Sequence, residues 1–294
     1  MKQYLMGVLA LAGISVTFPA CTDLEPTLYS NLTTGNAYST ESDIDAALVG
    51  LYADLNPYPG DAWKYYAGHF IMLTDYATDM GYSTAAGDPT KMSNMTYDPN
   101  NMYFSSNWQC MYQVISNANV LLQNIDNISM DETKKKQVIA QAKFLRALTD
   151  AWGPVPLITE LLDPATAKDY PLTSVEEINN FMIADLKECI ENLPEEWAGQ
   201  DLSRATKGAA ATLLGKIYLR SHDYTNAKTY IDMVLDLRDK GVYALESDFK
   251  NVWSENTANL DGKERSAYAG YKFEAISEHA FGLLTAAQKV AQAE

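Results

Sequence analysis

The chain has 294 residues, 47% of them hydrophobic, enough to bury a full core and to form one or two domains. The 38 acidic residues outweigh 22 basic ones, and the resulting net charge of −16 disfavours nucleic acid and anionic lipid, whose phosphates need clustered Lys and Arg. Cysteines occur only at positions 21, 110 and 189, too few for a disulfide framework, so packing has to hold the fold.

Residues 4–18 form a short apolar leader behind Lys2, and a polar, acidic stretch from Thr22 to Glu25 follows Cys21 directly. A membrane-spanning helix takes roughly 20 apolar residues, so this leader reads instead as a bacterial lipoprotein signal spanning residues 1–20. Cleavage before Cys21 leaves a thiol for lipid attachment, and the mature chain is then tethered outside the cytoplasm. Ala20 fits the usual lipobox, whereas Phe18 and Pro19 stand where Leu and a small residue are customary. An ordinary secretory leader with a chance cysteine after the cut is the alternative.

Beyond the leader nearly every periodic segment repeats at helical spacing, which predicts an all-α, mainly helical fold. The first helix is expected over 42–55, with Ile44, Leu48, Leu51, Tyr52 and Leu55 on one face and Thr40 and Asp43 at capping-box spacing. Asn56, Pro57, Pro59 and Gly60 end it. Residues 61–104 are aromatic, contain Gly and Asn, and keep no sustained period beyond a short helix near 70–79. A long irregular stretch of this kind is usually functional or disordered, and its aromatic content argues against disorder.

A long helix over 106–125 carries Trp108, Met111, Tyr112, Ile115, Ala118, Leu122 and Ile125 on its apolar stripe. Asn119 falls on the same stripe and is expected to be hydrogen-bonded. Further helices are expected over 131–150, stopped by Gly153, Pro154 and Pro156, and over 175–193, closed by Pro194. The basic run from Lys134 to Lys136 reads as a solvated helix face. The last pair, 206–219 and 224–237, sets Gly208, Ala209, Ala210 and Gly215 against Tyr218, Tyr224 and Tyr230. Large against small across an antiparallel turn resembles a tetratricopeptide helix pair, and one such pair needs neighbouring layers to bury its apolar face.

Tyrosine is the compositional outlier, with 19 against 8 phenylalanines and 5 tryptophans. A tyrosine offers an apolar ring and a hydroxyl together, which suits a half-wet contact such as a sugar as well as helix–helix packing. Sugars are held by stacking on rings and by hydrogen bonds from Asn, Asp or Arg, and residues 78–103 combine both residue types. Tyr82, Tyr97 and Tyr103 are the stacking candidates there, with Asp79, Asp98 and Asn100 as polar partners. Trp63, Tyr65 and Tyr66 form a second cluster, read as core or partner-facing. Trp108, Tyr112, Phe144, Arg146 and Trp152 are read as structural, with Arg146 paired to a buried carboxylate or capping carbonyls.

Catalysis has no support in the sequence. His69, His222 and His279 are far apart, and no HExxH, CxxC, GxSxG, P-loop or GxGxxG context occurs. No catalytic residue and no metal site is assigned, and nothing singles out a carboxylate pair for glycoside hydrolysis. Asp98 to Asn101 lacks the spacing and terminal Glu of an EF-hand loop.

Taken together, these residues resemble the SusD/RagB family of outer-membrane, nutrient-binding lipoproteins of Bacteroidetes. The resemblance runs over roughly residues 21–253. It rests on Asp23-Leu24-Glu25 after the lipoprotein leader and on AYSTESDIDAALVGLY from Ala37. It continues in the W-x3-Y-x2-I-x2-A-N pattern of Trp108, Tyr112, Ile115, Ala118 and Asn119, in KFLRAL from Lys143 with WGPVPLI from Trp152, and in KGAAATLLGKIYL with DYTNA. Membership implies a right-handed superhelix of tetratricopeptide-like helices with a binding face of irregular loops. It also implies a place at the cell surface beside a TonB-dependent transporter, capturing glycans, or sometimes other nutrients, for import without a cofactor. The loop before the Trp108 helix contributes ligand contacts in the family. A protein-interaction scaffold of tetratricopeptide type is the alternative from a different class.

Two departures stand out. Only Thr149, Asp150 and Ala151 separate KFLRAL from WGPVPL, where family members usually continue the helix by a turn or more. Residues 258–294 match no family segment, although Phe273, Ile276, Phe281, Leu284 and Val290 are spaced for one amphipathic helix. The expected layout is therefore a leader over 1–20, a helical domain over 21–257 and an atypical tail over 258–294, in a chain shortened relative to the family.

Overall fold

A computed structural model describes residues 38–55, 68–149, 153–161 and 169–244. Cys21, Trp63, Tyr65, Tyr66, Trp152, the leader and the tail lie outside the described residues.

Helix α1, Glu41–Asp54, begins where the sequence places its cap. The Thr40 hydroxyl accepts from the Asp43 amide at 3.2 Å, and the Asp43 carboxylate accepts from the Thr40 amide at 2.8 Å and the Ser39 amide at 3.0 Å. These amides have no carbonyl four residues earlier in the helix to bond, so the reciprocal bonds fix its first turn. Ile44, Leu48 and Leu51 are buried on the predicted face. Tyr52 joins them and reaches further: its hydroxyl donates to Gln141 Oε1 at 3.1 Å and accepts from the Ala205 amide at 2.8 Å.

Among the described residues, the stretch expected to hold one short helix holds two. Helix α2 spans His69–Thr74 and stops earlier than the periodicity suggests, because the Thr78 hydroxyl donates to Asp75 O at 2.8 Å and turns the chain. Helix α3, Asp88–Ser93, follows Gly87 at φ +90° and carries Pro89 in its first turn. Only Met92 of α3 is buried, so no apolar period announces it.

Helix α4, Met102–Asn124, starts four residues before the expected position 106 because Asn101 caps it, its side-chain oxygen accepting from the Tyr103 amide at 3.0 Å. Helix α5 spans Glu132–Thr149, with Asp131 accepting from the Lys134 amide at 2.8 Å at its start. Lys134 is more than a solvated charge: its ammonium pairs with Glu41 at 2.6 Å and Asp45 at 2.7 Å, tying α5 to α1.

Helix α6, Val175–Asn192, opens on a second capping box between Ser174 and Glu177. Helices α7, Lys207–Arg220, and α8, Tyr224–Asp239, form the anticipated pair. His222, at φ +60°, occupies the tight turn between them. A Cβ on Gly215 would stand 3.1 Å from Ile231, so the absent side chain is what lets α8 approach. Tyr218 and Tyr230 stack across the pair with ring centroids 5.7 Å apart.

Packing runs mainly between chain neighbours: α4 on α5, α5 on α6, α6 on α7 and α7 on α8, with α1 laid on α4 and α5. That is the layered order of a helical repeat array. One core runs through the layers, from Leu48 of α1 through Val114, Phe144 and Met182 to Leu214 of α7. No strand occurs among the described residues, and none of their helices is long and apolar enough to cross a membrane.

Candidate functional site

The aromatic segment before and into α4 is built on a buried floor. α2 packs on α4, and the His69 ring lies against Tyr103, centroids 5.0 Å apart and edge to face, with its Nδ1 2.7 Å from the Ser106 hydroxyl oxygen. Asn107 Nδ2 donates to Tyr103 O at 2.7 Å. His69, Asn101, Tyr103, Ser106 and Asn107 are all buried.

Above this floor the loop is closed by its own polar groups. The Ser83 amide donates to Ser93 Oγ at 2.9 Å, and the Thr90 hydroxyl donates to Ala85 O, folding residues 83–93 back on themselves. Lys91 pairs with Asp88 at 2.9 Å, and the same carboxylate accepts from the Met102 amide at the start of α4. The Lys91 ammonium holds the Asp88 carboxyl below the ordinary carboxylate range. The Asn101 amide donates to Asp98 O at 3.0 Å, and Asp98 Oδ1 accepts from the Asn100 amide at 2.8 Å, so Asp98 to Asn101 form a side-chain-stabilised turn.

The candidate residues divide by depth. Asp79, Asp98 and Asn100 are exposed, Tyr82 is 65% exposed and Tyr97 is 39% exposed. Asp98 and Asn100 share one turn, which Tyr97 immediately precedes, and the Ser83–Ser93 bond draws the chain beside Tyr82 to the end of α3. Tyr103, expected as a stacking ring, is 5% exposed and packed edge-on against His69, so it carries the loop from beneath and presents no open face. Ile71, Met80, Met95 and Met102 are exposed in the same region, as is Trp108 at 46%, which the helical stripe had assigned to the core. Most of the exposed large apolar side chains among the described residues thus fall between positions 71 and 108. Where exposed apolar groups adjoin in one patch, they mark a binding surface.

Arg146 of α5 centres a buried polar network that reaches α4 and α6. Arg146 donates through Nε and Nη2 to Asp185 Oδ2, at 3.0 and 2.7 Å, and through Nη1 to Asn119 Oδ1 at 2.7 Å. Its guanidinium also lies 4.6 Å from the Phe181 ring centroid. Asn119 passes the connection on, its Nδ2 donating to Ile158 O at 2.9 Å, while the Tyr112 hydroxyl donates to Pro156 O at 2.9 Å. The segment after α5 is thereby held to α4 by two side chains that bind its carbonyls. Burial pushes the Asp185 carboxyl up against the opposing pull of Arg146. The pairing anticipated for Arg146 and the bonding anticipated for Asn119 are both present.

No group of three His, Cys, Asp or Glu side chains converges to hold a metal among the described residues. Cys110 and Cys189 are buried, and Cys189 donates to Ala140 O at 3.0 Å with its thiol pushed well above the ordinary range by burial. A thiol so held is packing, with little thiolate for chemistry.

Comparison with known proteins places this architecture. A family model described as SusD-like, starch-binding and associating with outer membrane, matches residues 24–219. SusD-like protein P2 of Formosa agariphila is 29% identical over 267 residues, covering 88% of this chain and 52% of its own length. A SusD-like protein of Bacteroides ovatus is 28% identical over 262 residues, covering 85% of this chain and 44% of its own length. The chain thus spans about half the length of these curated relatives. Among solved structures, a laminarin-binding SusD-like protein superposes with a TM-score of 0.59 at 30% identity, covering 67% of this chain and 44% of that one. A SusD-like protein of Bacteroides fragilis gives a TM-score of 0.62 at 20% identity over 76% of this chain and 43% of its own, a likeness of fold. The helical layers, the buried motif network and the family match agree that this chain belongs to the SusD-like family of outer-membrane-associated, starch-binding proteins.

Proposed function

We propose that this chain is a non-catalytic, cell-surface glycan-binding lipoprotein, anchored in the outer membrane through Cys21, which delivers oligosaccharide to a TonB-dependent transporter of SusC type. The observation that carries the reading is the exposed aromatic loop face over α2–α3, with Tyr82 and Tyr97 open to solvent and Asp79, Asp98 and Asn100 beside them in sequence and exposed. Rings of this kind stack on the apolar face of a sugar while carboxylate and amide groups take its hydroxyls. Tyr103 contributes by supporting that loop from below. Starch is the substrate class named for the family, and laminarin that of one solved relative; both are first choices as ligands.

Affinity electrophoresis in gels containing starch or laminarin tests the reading. The protein should be retarded, and the Tyr82→Ala/Tyr97→Ala double variant should run as in a sugar-free gel. Unretarded migration of the folded protein in a panel of polysaccharides would refute it.

One observation favours a second reading. Met80, Met95 and Met102 are all exposed between the end of α2 and the start of α4, and flexible thioethers suit an adaptable protein-binding surface. A tetratricopeptide-type scaffold of that kind would bind partner protein, and polysaccharide would leave its migration unchanged.

A further inference from the structure

We infer that Met80, Met95 and Met102 are oxidation sites: their thioethers take a hypohalous acid ahead of the exposed tyrosines beside two of them and ahead of the buried thioethers, and the helical frame survives the modification. The inference is independent of which ligand the loop takes. Among the described methionines these three are the exposed ones, at 83%, 58% and 47%, and they fall within one stretch of the chain. Met92, Met111 and Met182 are at most 2% exposed, and Met72, Met130 and Met233 are half-buried. Oxidation of a thioether follows its access to solvent, so burial sets the order of reaction.

Each of the three backbones is pinned while the side chain is left outside. The Met80 amide donates to Thr78 Oγ1 at 3.1 Å, and the Met102 amide to the Asp88 carboxylate. Met95 closes α3: its amide donates to Met92 O at 3.2 Å and the Thr96 amide to Lys91 O at 2.9 Å, a Schellman cap that puts Met95 at φ +56°. Glycine meets that conformation without strain, so a long exposed side chain is held there against the preference of the backbone, and such outliers gather at functional positions. Met80 and Met95 each stand two residues before an exposed tyrosine, Tyr82 and Tyr97, so the Cα atoms of each pair lie within about 7 Å. In the reaction the sulfur lone pair attacks the chlorine of hypochlorous acid and hydroxide leaves. Water then adds its oxygen to sulfur, chloride leaves, and two protons pass to solvent, one of them neutralising the hydroxide. The thioether is oxidised by two electrons to the sulfoxide, and the oxidant ends as chloride. None of the three side chains belongs to the core, so their becoming polar disturbs no buried packing.

The test is graded hypochlorous acid on the full chain, with peptide mass spectrometry for methionine sulfoxide and chlorotyrosine. Sulfoxide should form at Met80, Met95 and Met102 at doses about tenfold below those that reach Met92, Met111 and Met182, and the difference should vanish in urea. Equal doses in the folded chain overturn the inference. Chlorination of Tyr82 and Tyr97 should begin only once Met80 and Met95 are oxidised. The Met80→Leu/Met95→Leu/Met102→Leu variant, which keeps the volume and removes the sulfur, should bring it on at lower doses. An unchanged dose for both tyrosines in that variant overturns the shielding. Should the triple variant not fold, Met80→Leu alone decides: Tyr82 should become more easily chlorinated while Tyr97 keeps its wild-type dose, and no change at Tyr82 again overturns the shielding. The triply oxidised chain should keep the urea midpoint of the untreated one, and a lowered midpoint refutes survival of the helical frame.

Discussion

Replacing Arg146 by Met is the sharpest test of what holds the motif region together. The substitution keeps much of the side-chain volume and removes the charge, leaving the Asp185 carboxylate, 5% exposed, without its 2.7 and 3.0 Å bonds and Asn119 Oδ1 without its 2.7 Å donor. Breaking one side of a buried ion pair costs about 3–5 kcal/mol, against a total stability of roughly 5–15 kcal/mol for a domain. The loss has a pH signature. Burial already pushes the Asp185 carboxyl up with the arginine in place, and without it the native-state value rises further above that of the unfolded chain. A carboxyl with a raised native value binds protons more tightly when folded, so the variant gains stability as pH falls towards and below that value. Urea unfolding from pH 7 to pH 5 should therefore show Arg146→Met recovering part of its deficit at the lower pH. The Arg146→Met/Asp185→Leu double variant should regain most of the rest, because an apolar pair of similar volume leaves no buried charge. A cost below about 1 kcal/mol for the single variant, or strict additivity of the two substitutions, would refute the network as the organising contact.

Other substitutions probe single contacts. A Cβ on Gly208 would collide with the Tyr243 ring, so Gly208→Ala should swing Tyr243 out and break its 2.8 Å bond to Thr206; ultraviolet titration would then find the phenol, now raised by burial, nearer its ordinary range. Asp43 has its carboxyl held down by the Ser39 amide first and then by Thr40, so its contribution to α1 is present above the unfolded value and lost as pH falls through the native one; Asp43→Ala should flatten that part of the acid unfolding curve. Phe144→Ala should cost about 3–5 kcal/mol in urea unfolding, since the ring is 1% exposed in the shared core. Asn107 Oδ1 and Asn101 Nδ2 are buried without partners, so Asn107→Leu should be neutral to stabilising, whereas Asn101→Ala removes the α4 cap and should cost about 1 kcal/mol; thermal unfolding separates the two.

The longer helices were legible because burial repeats with the helical period, and Thr40 and Asp43 marked a true start. What escaped was decided by single polar contacts. Asn101 begins α4 inside an aromatic run where the apolar period is blurred, and α3 buries only Met92. The network of Arg146 was half legible: a lone arginine on an apolar stripe demands a carboxylate, but its identity as Asp185 depends on how α5 meets α6. Among the candidate residues, exposure could not be read from type. Tyr97 and Tyr103 are both tyrosines six positions apart, and the capping of α4 turns one outward and the other onto His69. Trp108 shares the helical period of buried neighbours, yet in the second turn of α4 it is 46% exposed, which the period alone does not reveal.

The arrangement also explains why the most recognisable motifs are poor guides to the ligand. Arg146, Asn119 and Tyr112 direct their polar atoms inward, to a carboxylate and to the carbonyls of Pro156 and Ile158, where an unmet group would cost far more than at the surface. Substituting them perturbs the helical frame of this chain and not the exposed loop. The loop over α2–α3 is under the opposite constraint: its backbone is satisfied by Ser83, Ser93, Thr90 and Asp98, so Tyr82, Tyr97, Asp79 and Asn100 are exchangeable without unfolding the layers beneath. On the proposed glycan-binding reading, choice of ligand can therefore change at these positions while the helical frame stays fixed. On that argument exchanging the Tyr82 to Asn100 segment between SusD-like proteins should transfer sugar preference at little cost in stability, whereas exchanging α5 should cost stability and leave preference unchanged.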